Sequence, residues 1–197
     1  MMNVSRFARR FAREEDGVLA VEFVIMVPVL FWAYLTLFSI FDAYREHAVN
    51  QKVAYSIGDI ISRETNPLDE DYLKGMVSLA TYMSKVGSKS DVTLRVTSIR
   101  WNGQQQRYER VWSQAKGSRP ALTEGQVSGM ANMLPVLPHN EEIMVVETYI
   151  KYDPPFNIGL QSREISNMVF TRPRYASKVC WEICDPGGNV EGEEGGA

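Results

Sequence analysis

Gly17-Val18-Leu19-Ala20-Val21-Glu22-Phe23 opens an apolar run that continues to Phe41. From Val18 to Phe41, Glu22 is the only acidic or basic side chain apart from the weakly acidic Tyr34. At about 1.5 Å rise per residue, residues 18–41 make a helix about 36 Å long, enough to cross a hydrocarbon core of about 30 Å. A charged side chain deep in a bilayer costs about 2.5–3.5 kcal/mol, so a lone carboxylate there needs a partner or a purpose. The run therefore reads as a transmembrane helix marked by one acid near its start.

The flanks orient that helix. Arg6, Arg9, Arg10 and Arg13 precede it, followed by Glu14, Glu15 and Asp16, whereas only Arg45 and Lys52 follow it closely. This bias keeps the N-terminus in the cytoplasm. A secretory signal would have a shorter apolar core, with its small-residue cleavage site after that core. Beyond Asp42, Val49, Val53, Ile57, Ile60 and Ile61 recur at helical spacing, so the helix continues with one apolar face. Asn66-Pro67 disfavours helical geometry, which places the end near Arg63–Thr65. The continuous helix from Val18 is then about 45 residues and about 70 Å long. Pro28 lies inside it, cannot donate a helical hydrogen bond and kinks the axis, a feature that membrane helices tolerate. Trp32 and Tyr34 sit in mid-run, away from either interface, which favours packing against other helices.

The rest of the chain reads as α+β. Asp69-Glu70-Asp71 marks a helix start, Leu73, Met76, Val77, Ala80 and Met83 its buried stripe, and Gly87 its stop. From Asp91 the period becomes alternating, with Val92, Leu94, Val96 and Ser98 on one side of a strand reaching Trp101. Asn102-Gly103 predicts a hairpin turn into a partner strand over 105–113, with Tyr108 and Trp112 two pleats apart. A short helix is expected between Thr123 and Leu134, where Gly125 and Gly129 weaken it. Glu142–Tyr152 has apolar side chains on both faces and reads as a central strand, and Glu164–Arg172 as the last. The domain boundaries that follow are a leader at 1–17, the transmembrane helix at 18–41, a stalk helix at 42–65, an α+β domain at 66–184 and a disordered Gly/Glu-rich tail at 185–197.

Composition excludes several function classes. The chain has 197 residues and a net charge of −3, with its Lys and Arg scattered after the helix and no basic stripe for nucleic acid. Gly-x-Ser-x-Gly, a phosphate-binding Gly-rich loop and a His-x-x-x-His zinc pair are absent. His47 and His139 stand apart and read as solvated, and Glu141-Glu142 as a solvated acidic pair. The expectation is a non-enzyme with no cofactor, no metal and no small-molecule substrate. Cys180 and Cys184 are too few for a four-ligand metal site, and in an exported domain they read as a local disulfide.

Gly17, four residues and then Glu22-Phe23, at the head of an N-terminal membrane helix with Pro28 beyond, resembles the processing site of type IV prepilin-like proteins. The full string is similar to the TadE/TadF minor pseudopilins of tight-adherence (Flp) pili. Pilins of type IVa systems and type II secretion usually begin with Phe-Thr-Leu, where this chain has Val18-Leu19-Ala20-Val21. The major Flp pilin is little more than the helix, and TadG-like chains carry a larger domain. The resemblance implies cleavage by prepilin peptidase between Gly17 and Val18, a single-pass inner-membrane protein and a pilin-like α+β domain in the periplasm. It implies other Tad pseudopilins, the Flp major pilin and Tad platform proteins as partners. TadE or TadF identity, and entry into the filament or priming of assembly, stay open.

Cleavage there would free an α-amine on Val18, about 6 Å along the axis from the Glu22 carboxylate. Two subunits offset by that rise would set one's amine against the other's acid, and repetition gives an open filament. The competing reading is an uncleaved, signal-anchored periplasmic binding or structural module.

Overall fold

A computed structural model describes residues 16–84, 92–156 and 159–184. Residues 1–15 of the expected 1–17 leader, the helix stop at Gly87 and the tail at 185–197 lie outside the described residues. The elements are α1 (Asp16–Ser62), α2 (Glu70–Ser84), β1 (Val92–Asn102), β2 (Arg107–Lys116), α3 (Glu124–Gly129), a 3-10 turn (Ala131–Met133), β3 (Glu142–Tyr152) and β4 (Arg163–Thr171). The fold is α+β, with a long N-terminal apolar helix and one antiparallel sheet.

Compact packing divides the chain into two units. Among the described residues, one comprises the chain up to Tyr44 together with Pro154–Gln161, and the other holds Arg45–Asp153 and the chain from Ser162 onward. The 47-residue α1 contributes to both and runs unbroken through Pro28. It stops at Ser62, slightly before the expected 63–65. There Arg63 and Glu64 donate to the carbonyls of Ile60 and Ile61, and the Arg174 amide donates to the Ser62 carbonyl at 2.7 Å. These bonds satisfy acceptors that a helix end leaves open. α2 begins where the acidic run predicts, because Asp69 Oδ1 accepts the Tyr72 amide at 2.7 Å.

In the second unit the strand order is β2-β1-β3-β4. β1 and β3 are central and buried on both faces over most of their length. One sheet face packs Val92, Leu94, Val96, Met144, Val146 and Ile150 against Val53, Ile57 and Ile61 of α1 and Leu73, Val77 and Ala80 of α2. The other face carries Ile99, Ile143 and Val145 under Leu122, Val127, Leu134 and Leu137 from the segment between β2 and β3. A helical period on α1 and α2 and a two-residue period on the strands are thus both closed into cores.

Two details of the first hairpin differ from the sequence reading. Asn102 pairs with Arg107, and the turn is longer than two residues, with Gln106 at φ 53°. Asn102 Oδ1 accepts the amides of Gln104 and Gln105, and that side-chain turn replaces a tight Asn-Gly turn. Tyr108 and Trp112 also lie on opposite faces. Ser98 pairs with Trp112 but Ile99 pairs with Arg110, leaving Val111 as the extra residue of a bulge. One inserted residue reverses the side-chain alternation. Tyr108 accordingly joins the core under Leu122, while Trp112 joins the helix-side core.

Candidate functional site

The N-terminal half of α1 is built against the usual rule for a water-soluble helix. Phe23 is 70% exposed, and Val24, Ile25, Leu30, Phe31, Trp32, Tyr34 and Leu37 are exposed as well. From Ala20 onward the helix is long and apolar enough to cross a membrane, and almost none of its most apolar stretch is covered by the rest of the chain. Thr36 turns its hydroxyl back onto the Trp32 carbonyl at 2.9 Å, so this polar group is satisfied within the helix. Pro28 offers no amide to the Val24 carbonyl, and the helix continues past it.

Gly17 and Val18 lie in the first turn of α1, and Glu22 and Phe23 follow on the next. Positions 18 and 22 share a helix face, one turn apart. The Glu22 side chain is exposed, and among the described residues no hydrogen bond or ion pair engages it. It is thus a carboxylate standing alone on an apolar surface. Chemically, such a group can accept a proton or meet a cation supplied from outside the chain.

The expected disulfide positions come together at the other end of the sequence. Cys180 and Cys184 are joined, their Cα atoms 5.3 Å apart. The segment they close is stitched to the turn before α2. The Leu68 amide donates to the Cys180 carbonyl at 2.8 Å, and the Glu182 amide donates to the Leu68 carbonyl at 2.7 Å. Trp112 Nε1 donates to the Val179 carbonyl, and its ring lies 5.8 Å from that of Trp181.

Several other titratable side chains are tied to their neighbours. His47 is exposed on α1. His139 is exposed too, but its Nδ1 accepts the Gly103 amide at 3.0 Å, which ties its loop to the first hairpin. Glu141 and Glu142 depart from the solvated pair that the sequence suggests. Glu141 pairs with Arg172 at 3.0 Å, while Glu142 is half-buried, and burial pushes its carboxyl up against the opposing pull of Arg100, Ser98 and Lys178. Among the described residues no three His, Cys, Asp or Glu side chains gather as a metal site.

One polar cluster escaped the sequence reading. Arg95 of β1 donates Nε and Nη2 to the two oxygens of Glu147 on β3, at 2.6 and 2.8 Å, and Nη1 to the Pro120 carbonyl. Tyr149 donates its hydroxyl to Glu147 and accepts from Arg95. Burial, with Glu147 beside it, pushes this phenol up to about 12. Arg119 covers the Tyr149 ring at 4.4 Å and pairs with Glu164. Arg95 falls with Thr93 and Thr97 on the polar side of the β1 alternation, and Glu147 is the one charge between Ile143 and Ile150, which was the available signal. Their direct cross-strand pairing required the register. The cluster closes on itself and acts as a lock on the covered sheet face.

Comparison with known proteins finds no matching family model, no matching curated protein and no matching solved structure.

Proposed function

We propose that this chain is a minor pseudopilin of a Tad (Flp) type IV pilus, processed by prepilin peptidase after Gly17 and associating through α1. The observation that carries the reading is Glu22, unpaired among the described residues, on an exposed apolar helix five residues after Gly17. In hydrocarbon a carboxylate strongly favours a paired arrangement, and a cut at Gly17 would supply the cation as the α-amine of Val18. Side-chain packing between helices supplies the attraction, and the acid selects the axial register. The chain would be single-pass in the inner membrane, with its α+β domain in the periplasm, where the Cys180–Cys184 disulfide persists. Its partners would be prepilin peptidase, other Tad pseudopilins, the Flp pilin and the Tad platform proteins. The role is structural, with no catalytic step assigned to the chain.

N-terminal sequencing of membrane-extracted protein from cells with active peptidase is expected to read Val-Leu-Ala-Val-Glu. Glu22→Val is expected to be cleaved still, and to abolish pili. An intact leader in piliated cells, or full piliation with Glu22→Val, overturns the reading in favour of an uncleaved anchored module.

A further inference from the structure

We propose that Pro154-Pro155-Phe156, at the start of the β3–β4 connection, forms an apolar tip that makes a second lipid contact in the membrane interface beside the exit of α1. The inference rests on α1 crossing the bilayer. The apolar run of α1 ends at Phe41, and Asp42 follows. Phe38 lies one turn earlier, about 4.5 Å deeper along the axis. The Phe156 ring meets Phe38 edge-on, with centroids 5.8 Å apart and planes at 64°. Pro154–Gln161 belongs to the same compact unit as the helix up to Tyr44. A bilayer that receives Phe38 therefore reaches Phe156 as well.

Neither ring is closed off by the protein. Phe38 remains 46% exposed and Phe156 40%, and the neighbouring Phe41 and Tyr44 are about three-quarters exposed. Such a group of aromatic side chains suits the boundary between acyl chains and headgroups. The backbone of the tip suits it too. Pro154 and Pro155 carry no amide hydrogen, so two of the donors that lipid would strip of water are missing. The neck of the connection is polar by contrast. Lys151 pairs with Asp153 at 3.3 Å, and the Ser162 hydroxyl donates to the Asp153 carboxylate. Lipid is favoured over a protein partner by the ring contact with Phe38, which ties the tip to a depth set by the helix itself.

The test uses the full chain with its disulfide intact, reconstituted in phosphatidylethanolamine/phosphatidylglycerol vesicles. Phe156→Cys carries an environment-sensitive dye, Leu30→Cys reports the span, and Gln105→Cys in the first hairpin turn reports water. At 156 the expected result is blue-shifted emission that is lost to a nitroxide high on the lipid acyl chain and resists aqueous iodide. Iodide-accessible emission at 156, with lipid quenching retained at 30, overturns the second contact and leaves the span standing. Shielding of 156 from both quenchers means protein cover and also overturns it. Iodide access at 30 overturns the span and the contact together. Pro155→Cys repeats the measurement if Phe156→Cys loses the sheet signal in circular dichroism.

Discussion

Arg95 and Glu147 face each other across β1 and β3 with side chains only 9% and 8% exposed. A buried pair of this kind contributes through the cost of breaking it. Glu147→Leu alone should destabilise by about 3–5 kcal/mol, because it strands the guanidinium, whereas Arg95→Met with Glu147→Leu should recover most of the loss. Denaturant titration of the four corners of that cycle checks it. Glu142 gives a pH-dependent case. Its folded carboxyl titrates above the ordinary 4.5, so the protonated form is the one folding favours. The stability it contributes is full below the unfolded value and is lost as pH rises through the folded one. Glu142→Gln should therefore raise stability at neutral pH, and flatten the loss above about pH 4.5 in melts taken across that window. Two glycines diverge for steric reasons. A Cβ at Gly117, where φ is +131°, would come within 2.7 Å of the Thr93 backbone, so Gly117→Ala should cost about 2–4 kcal/mol. A Cβ at Gly58 would meet Val169, Thr171 and Val146 only at 3.8–4.0 Å. Gly58→Ala should instead gain about 0.5–1 kcal/mol from helix propensity.

At the scale of elements, the disulfide segment is the part most open to a local test. The four-residue separation of Cys180 and Cys184 closes a small ring, worth about 2 kcal/mol by the chain-entropy account. Replacing both by Ser should lower amide-exchange protection at Leu68 and Glu182 by roughly thirtyfold, with β1 and β3 unchanged. Equal loss across β1 would mean that this segment opens only with the whole domain. How legible each element was follows from the range of the forces that form it. α1, α2 and β3 were readable because their periods extend over many residues: Val49 to Ile61 gave the stripe, and Glu142–Tyr152 its both-face burial. The β1–β2 hairpin was readable as a hairpin but not in detail. The bulge at Val111 depends on cross-strand pairing, and the Asn102 side chain settles the turn. Between Thr123 and Leu134 the chain does form a short helix, α3, followed by a 3-10 turn, and Val127 and Leu134 are the anchors it buries. The apolar run and lone acid of the candidate site were visible in the sequence, because the run is unbroken from Val18 to Phe41 and Glu22 is the one charge within it. The Phe38–Phe156 contact was not visible, because it joins positions far apart in sequence.

For the whole molecule, the two units differ in what each needs as solvent. The unit from Arg45 onward holds both cores, and it keeps Val53, Ile57 and Ile61 from the second half of α1. Those side chains fill the space over Val146 and Leu94, so a truncation after Ser62 would empty the core, whereas one at Arg45 leaves it filled. The exposed apolar stretch from Val21 to Phe41 contributes nothing to either core and is a liability in water. A fragment beginning at Arg45 is therefore expected to be soluble without detergent, to keep the sheet's circular dichroism and to unfold in one cooperative transition. The full chain should need detergent or lipid to stay monodisperse. Sedimentation and thermal melts of both, under oxidising conditions, decide the matter. Aggregation of the fragment, or a melt without cooperativity, would mean that the apolar half of α1 is part of what holds the domain together and is not reserved for a membrane or a neighbouring helix.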